Sequence, residues 1–530
     1  MTTTLEQFIA AQTAELKPRY TKLSHLYWLV ATTGKAEHEQ AYAACLRELR
    51  EYLSDPTRYV TLTALMQMAG AHDPLVMRQA QLLHNELRGS QITPELIARM
   101  TALEVHVQGA FSRFRAEVDG KHVTDNDLKQ VLHTSDDDEL RREAWEASKQ
   151  IGVQVADTVR ELARVRNQAA RLVGFDNYYS MRLELNELNE RELFALLDEL
   201  KNGSDSAWQT YKTQLDAQLA ARFGVKPEQL RPWHYADPFF QEGQPSSINM
   251  DAYFADTNLE HLTREYYRSI GLDIDDMLAR SDLYEREGKE QHAFCTHIDR
   301  EGDVRVVCNN RPNARWMETM LHEFGHAVYD KYIDRALPFL LREPAHTLTT
   351  EAIAILGGNH VNEAAWLQAY AGVPQAEADR LCAALGEAHR THALIFARWV
   401  FVMCHFERAM YQNPEQDLNA LWWDMVERFQ GVHRPDDRNA PDWAAKIHIG
   451  TAPVYYHNYL LGAMMAAQLR DYVKTNIVGG SDAAYVSDPR VGAYLVERVF
   501  KPGSMRDWRG WMHHATDQEL SVAFYVEQLS

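Results

Sequence analysis

Trp316-Met317-Glu318-Thr319-Met320-Leu321-His322-Glu323-Phe324-Gly325-His326-Ala327-Val328-Tyr329 reads as one apolar-rich helix with a polar cluster set into it. Residues four apart share a helix face, so His322 and His326 can bind one ion together. Glu323, one step round, sits beside that ion, where a carboxylate can take a proton from water. Histidine and glutamate content alone would put this pattern in roughly one chain of this length in fifteen. The competing reading is therefore two histidines and a glutamate on a solvated face. The apolar neighbours weigh against it, because three polar groups clustered among them need partners.

A catalytic zinc takes a third protein ligand and leaves one position open for water. Downstream runs Leu341-Arg342-Glu343-Pro344-Ala345-His346-Thr347-Leu348-Thr349-Thr350-Glu351-Ala352-Ile353-Ala354. Glu351 opens an apolar helical stretch, an awkward place for an unpaired carboxylate, and the intervening chain lets a second helix return to the first. Glu343 and His346 have the right chemistry but precede that helix, so Glu351 is preferred. Upstream, His292–Ile298 and Val304–Asn309 are rich in apolar and β-branched residues and flank the turn-like Asp299-Arg300-Glu301-Gly302-Asp303, which predicts a β-hairpin. Such a hairpin can plug a gap in the core, or its edge can dock an extended peptide by strand addition.

Elsewhere the periodicity is helical. Leu103–Phe114, Glu139–Ala170, Glu190–Leu219, Ala376–Tyr411 and Asp417–Gln430 repeat apolar residues at three- and four-residue spacing. Asp55-Pro56, Asp73-Pro74 and Lys501-Pro502-Gly503 punctuate them. No repeat or long linker separates them, so an all-α, predominantly helical fold in one intertwined domain over residues 1–530 is expected.

The 530 residues carry 55 basic against 75 acidic side chains, a net charge of −20. That balance argues against nucleic acid or an anionic membrane as partner. Cys45, Cys295, Cys308, Cys382 and Cys404 are scattered and odd in number, which reads as reduced thiols. Met1-Thr2-Thr3-Thr4-Leu5-Glu6-Gln7 shows no basic n-region before an apolar run, and no stretch is apolar for a membrane span, so a cytoplasmic protein is expected. Oligomeric state is not encoded in any of these features.

Taken together, the motifs resemble those of the angiotensin-converting-enzyme family of peptidyl-dipeptidases. Arg166-Asn167-Gln168-Ala169-Ala170 with Gly174-Phe175 is similar to one family stretch, and Leu341-Arg342-Glu343 with Glu351-Ala352-Ile353 to its third-ligand segment. Trp422-Trp423, Phe429-Gln430-Gly431, Arg434-Pro435 and Arg438 resemble its tandem-tryptophan region, and Lys446-Ile447-His448-Ile449 its lysine-x-histidine-isoleucine element. The resemblance implies a clam-like helical ellipsoid with a deep central channel and one zinc ion. It implies zinc ligands His322, His326 and Glu351, with Glu323 as base and later acid. His292 and Ala293 would contact a short peptide substrate, Ala293 through its backbone. Lys446 and Tyr456 would hold the substrate's C-terminal carboxylate, while His448 and Tyr459 would stabilise the oxyanion. Tyr455 could take the place of Tyr456, since one residue is inserted after His448.

Four positions depart from the family pattern. Its chloride-linked arginines fall on Val426 and Asn458, so activity should not require chloride. Its carboxylate-binding glutamine falls on Tyr235, which puts strict dipeptide release in doubt. The aspartate that orients a zinc histidine falls on Ile355, so another residue must do this. A thimet-oligopeptidase-like or carboxypeptidase-like relative with HExxH and a distant glutamate is the rival enzyme, and a catalytically inactive zinc-dependent peptide-binding protein is the rival from another class.

Overall fold

Residues 4–68, 73–118, 120–243 and 248–529 are described by the computed structural model. Met1 to Thr3, which belong to the leader reading, lie outside the described residues.

The periodic segments are helices with physically legible ends. Asp138–Leu172, Glu190–Phe223, Gln375–Gln412 and Leu418–Gln430 match the expected spans to within a few residues, and the helix expected from Leu103 begins earlier, at Pro94. Two of the Asp-Pro pairs are starts rather than interruptions. Asp55 accepts the Thr57 amide and Asp73 the Leu75 amide, while the following prolines occupy first-turn positions where no N–H is needed. Glycines in the left-handed region close two of the helices, Gly224 at φ +66° and Gly431 at φ +62°.

The predicted hairpin is present as Phe294–His297 paired antiparallel with Val304–Val307, Phe294 opposite Val307. The second strand also exchanges hydrogen bonds with Asp282, whereas the outer edge of Phe294–His297 carries no strand among the described residues. A second hairpin, Ala116–Val118 with Lys121–Val123, was not expected. Strands of three residues are too short to show a period of two.

Two compact units make up the chain, each from non-contiguous segments. The first comprises Met1–Gln91, Ile248–Gly386 and Leu461–Tyr525. Its N-terminal helices pack through Leu5, Phe8, Leu16, Leu49 and Leu83 around Phe339 and Leu340. Trp28 of the first helix covers Ile298 and Val307 of the hairpin. The second unit comprises Ile92–Ser247, Glu387–Leu460 and Val526–Ser530. In it the helix Asp138–Leu172 is the spine, with Val165 and Ala169 buried against Leu96, and Ala144 and Ala147 against the small hairpin. All five cysteines are free thiols, and among the described residues no helix is long and apolar enough to cross a membrane.

Candidate metal centre

The HEFGH motif lies in the middle of the helix Ala314–Tyr332, capped by the Asn313 side chain on the Trp316 amide. Its apolar face is fully buried at Met317, Met320, Leu321 and Phe324, which turns His322 and His326 towards a less enclosed side. The helix Thr347–Gly358 crosses against it unusually closely. A Cβ on Gly325 would meet the Ala354 Cα at 2.9 Å, and one on Gly357 would meet the Leu321 carbonyl oxygen at 2.6 Å. Only glycine permits that approach, and each helix supplies one. Tyr267 adds a clamp by donating its hydroxyl to the Leu321 carbonyl at 2.7 Å.

This packing brings Glu351 to the histidines. One ligand atom from each of His322, His326 and Glu351 lies within 4.8 Å of the others, and His322 Nε2 is 3.9 Å from a Glu351 carboxylate oxygen. Glu343 stands elsewhere, paired with Arg300, and His346 caps its helix on the Leu348 amide. Of the three candidate third ligands, Glu351 alone joins the histidines.

The donors suit a divalent metal ion. Burial pushes His322 down to about 4 and His326 down to about 3, so both rings are neutral near pH 7, as ligation requires. Burial, aided by the Glu351 carboxylate, pushes Glu323 up to about 8; a dication at the three ligands would act in the opposite sense. Two imidazoles and one carboxylate form a set that zinc accepts with a position to spare.

The orienting partner is a residue that sequence reasoning missed. His326 Nδ1 lies 2.7 Å from Thr350 Oγ1, which leaves Nε2 for the metal. The threonine directly preceding Glu351 was visible in the sequence, but nothing in its spacing tied it to His326. Thr350→Val should weaken zinc binding about 10–100-fold, measured by competition with a chromogenic chelator. Unchanged affinity would show that the hydroxyl is not the orienter.

His292 and Ala293 immediately precede the hairpin. The His292 side chain is 92% exposed and its Nδ1 lies 2.9 Å from a Glu290 carboxylate oxygen. The strand that follows lies against the motif helix, with Cys295 Sγ 3.9 Å from an Asp330 carboxylate oxygen. These residues, together with His322, His326, Glu351 and Glu323, all belong to the first unit.

Lys446, His448, Tyr456 and Tyr459 belong to the second unit and cluster there. The Tyr456 ring is buried, 5.0 Å from the His448 ring and 5.7 Å from that of Tyr459, with Lys446 Nζ 5.7 Å from its centroid. Tyr455 packs on Tyr459 instead, at 5.2 Å. Burial brings Lys446 down to about 8 and His448 down to about 4. Among the described residues, the buried His448 Nδ1 has no hydrogen-bond partner. Lys446 Nζ donates to Gln241 Oε1 at 2.7 Å, and both line a cavity of about 600 Å³ with Arg115, Lys129 and Phe239.

That arrangement corrects one sequence assignment. Tyr235, placed where the family has a glutamine, is buried and donates its hydroxyl to Asp216 at 3.0 Å beside Lys212. The amide at Lys446 is that of Gln241, six residues on. Val426 and Asn458 are both buried, and neither carries a charge.

A family model for angiotensin-converting enzyme (peptidase M2) matches residues 248–524, just over half of the chain. The chain belongs to this peptidase family. A model for peptidase family M3 matches residues 131–256. The chain is also similar to Carboxypeptidase 1 of Bacillus subtilis (strain 168), 25% identical over 264 residues, or 45% of this chain and 52% of that protein. The match thus spans about half the length of that relative.

Proposed function

We propose that the chain is a zinc metallopeptidase that removes dipeptides from the C-terminus of short peptides. The observation that carries this reading is the convergence of His322, His326 and Glu351 with the Glu323 carboxyl beside them. When bound, zinc supplies Lewis acidity for activating water and polarising a carbonyl. Glu323 takes the proton that the attacking water gives up and returns it to the departing amine nitrogen. The outer edge of Phe294–His297, entered through Ala293, offers backbone groups to an extended peptide, and His292 contacts the same chain. Lys446, with Gln241 and Tyr456, grips the terminal carboxylate through charge-assisted hydrogen bonds. His448, neutral and with an unmatched Nδ1, and the Tyr459 hydroxyl stabilise the oxyanion. With no arginine at 426 or 458, turnover should be the same with and without added chloride.

Single-residue release is the second reading, and the name of the Bacillus relative, Carboxypeptidase 1, favours it. The products from one nonapeptide and from its C-terminal amide decide between them. Successive dipeptides from the acid, and kcat/KM lowered about tenfold or more for the amide by loss of a charge-assisted contact, are expected. Single amino acids would sink dipeptide release, and equal cleavage of acid and amide would sink the carboxylate grip.

A further inference from the structure

The segment Thr451–Tyr456 joins the helix Ile447–Thr451, which carries His448, to the helix His457–Tyr472, which carries Tyr459. Within it, Val454 has φ +57°. A β-branched residue is a poor occupant of the left-handed region, where its side chain crowds the backbone, so something must hold it there. The Val454 amide, buried, donates to Glu407 Oε1 at 3.1 Å, and Glu407 itself is 1% exposed.

Glu407 lies on the helix Gln375–Gln412 three turns after Phe396, on the same face. That helix therefore holds the segment twice. Trp399 and Phe396 pack on the Tyr456 ring at 6.0 and 6.5 Å, and Phe396 on the Tyr459 ring at 6.2 Å. Glu407 takes the backbone between His448 and those tyrosines. At the other end of the segment Arg166, also 1% exposed, donates to the Gly450 carbonyl at 2.8 Å. Burial keeps the Glu407 carboxyl up at about 8, so it serves as a largely neutral acceptor at neutral pH.

We propose that Glu407 is a positioning residue: by capturing the amide of left-handed Val454 it sets Tyr456 against Lys446 and His448 for holding the substrate carboxylate. The inference rests on the carboxylate reading above. It assigns Glu407 no contact with substrate.

The test compares Glu407→Leu, Glu407→Gln and the double variant Glu407→Leu/Val454→Gly, each checked for zinc content. Glu407→Leu should lower kcat/KM for a free-acid peptide about tenfold, the cost of one unmade buried hydrogen bond. The loss should fall mostly in KM, and the amide of the same peptide should be little affected. Glu407→Gln keeps an acceptor and should stay within about twofold of the parent, since neutral acceptors differ little. The double variant should recover most of the loss, because glycine adopts the left-handed turn without help. Equal losses for acid and amide, or no recovery in the double variant, would overturn the proposal. An independent readout is the assigned imidazole resonance of His448, which should shift in Glu407→Leu and return in the double variant; an unmoved resonance overturns the positioning role. A parent that cleaves acid and amide alike would defeat the carboxylate reading, and the resonance would still decide whether Glu407 sets the turn.

Discussion

Glu323→Gln is expected to lower turnover by about three orders of magnitude while the protein still binds zinc. Glutamine has the shape of glutamate but cannot accept a proton near neutral pH, so the substitution removes one chemical step and little else. Glu323 is 7% exposed, on a helix whose neighbours Phe324 and Gly325 are buried, so an isosteric change is the one that its surroundings tolerate. The carboxyl also feels Glu351, whose negative charge raises it. Removing the charge at 323 should therefore leave the ligands no worse placed, and zinc content should match that of the parent. Measured turnover within a factor of about ten of the parent would remove Glu323 from the chemistry.

Glu351→Ala should cost as much by a different route. Two imidazoles remain, the metal is lost on dialysis, and turnover falls about a thousandfold or more, the several kcal/mol that Lewis-acid stabilisation contributes. The fold should survive. Glu351 is a carboxyl whose affinity for its proton is raised by burial, so in metal-free protein its removal relieves a cost. The melting temperature of the variant should be at least that of chelated parent, and added zinc should raise the parent's alone. Glu343→Ala is the control, because Glu343 is occupied by Arg300 and its loss should leave zinc in place. Retention of zinc by Glu351→Ala together with loss from Glu343→Ala would reverse the ligand assignment.

Helix positions were legible because long amphipathic segments such as Asp138–Leu172 and Gln375–Gln412 bury one face over many turns. The hairpin beside the motif helix was legible for the complementary reason, two runs of apolar and β-branched residues around the polar turn Asp299-Arg300-Glu301-Gly302-Asp303. Glu351 could be picked out from Glu343 because only one of them opens an apolar helix, and the structure seats it with the histidines. What escaped was contact across sequence distance. Thr350 meets His326 because two helices cross at a pair of glycines, and no local pattern encodes that crossing. Gln241 meets Lys446 across 205 residues of chain, whereas the family resemblance places that glutamine at Tyr235, six residues earlier. The family resemblance implies a substrate contact for His292, yet it carries no information about that side chain's exposure or its pairing with Glu290.

The close helix crossing, at Gly325 against Ala354 and Gly357 against Leu321, has a consequence for how metal comes and goes. Because the backbones approach so closely there, the distance between the helices that carry His322, His326 and Glu351 is set by the core rather than by an ion. Loading zinc then orders little chain, so its binding free energy is not spent on folding. Stripped protein should behave as an empty but finished receptacle that refills at a rate governed by access and proton release, with no slow refolding phase. Widening the crossing, by Gly357→Ala for example, would turn metal uptake into a conformational event.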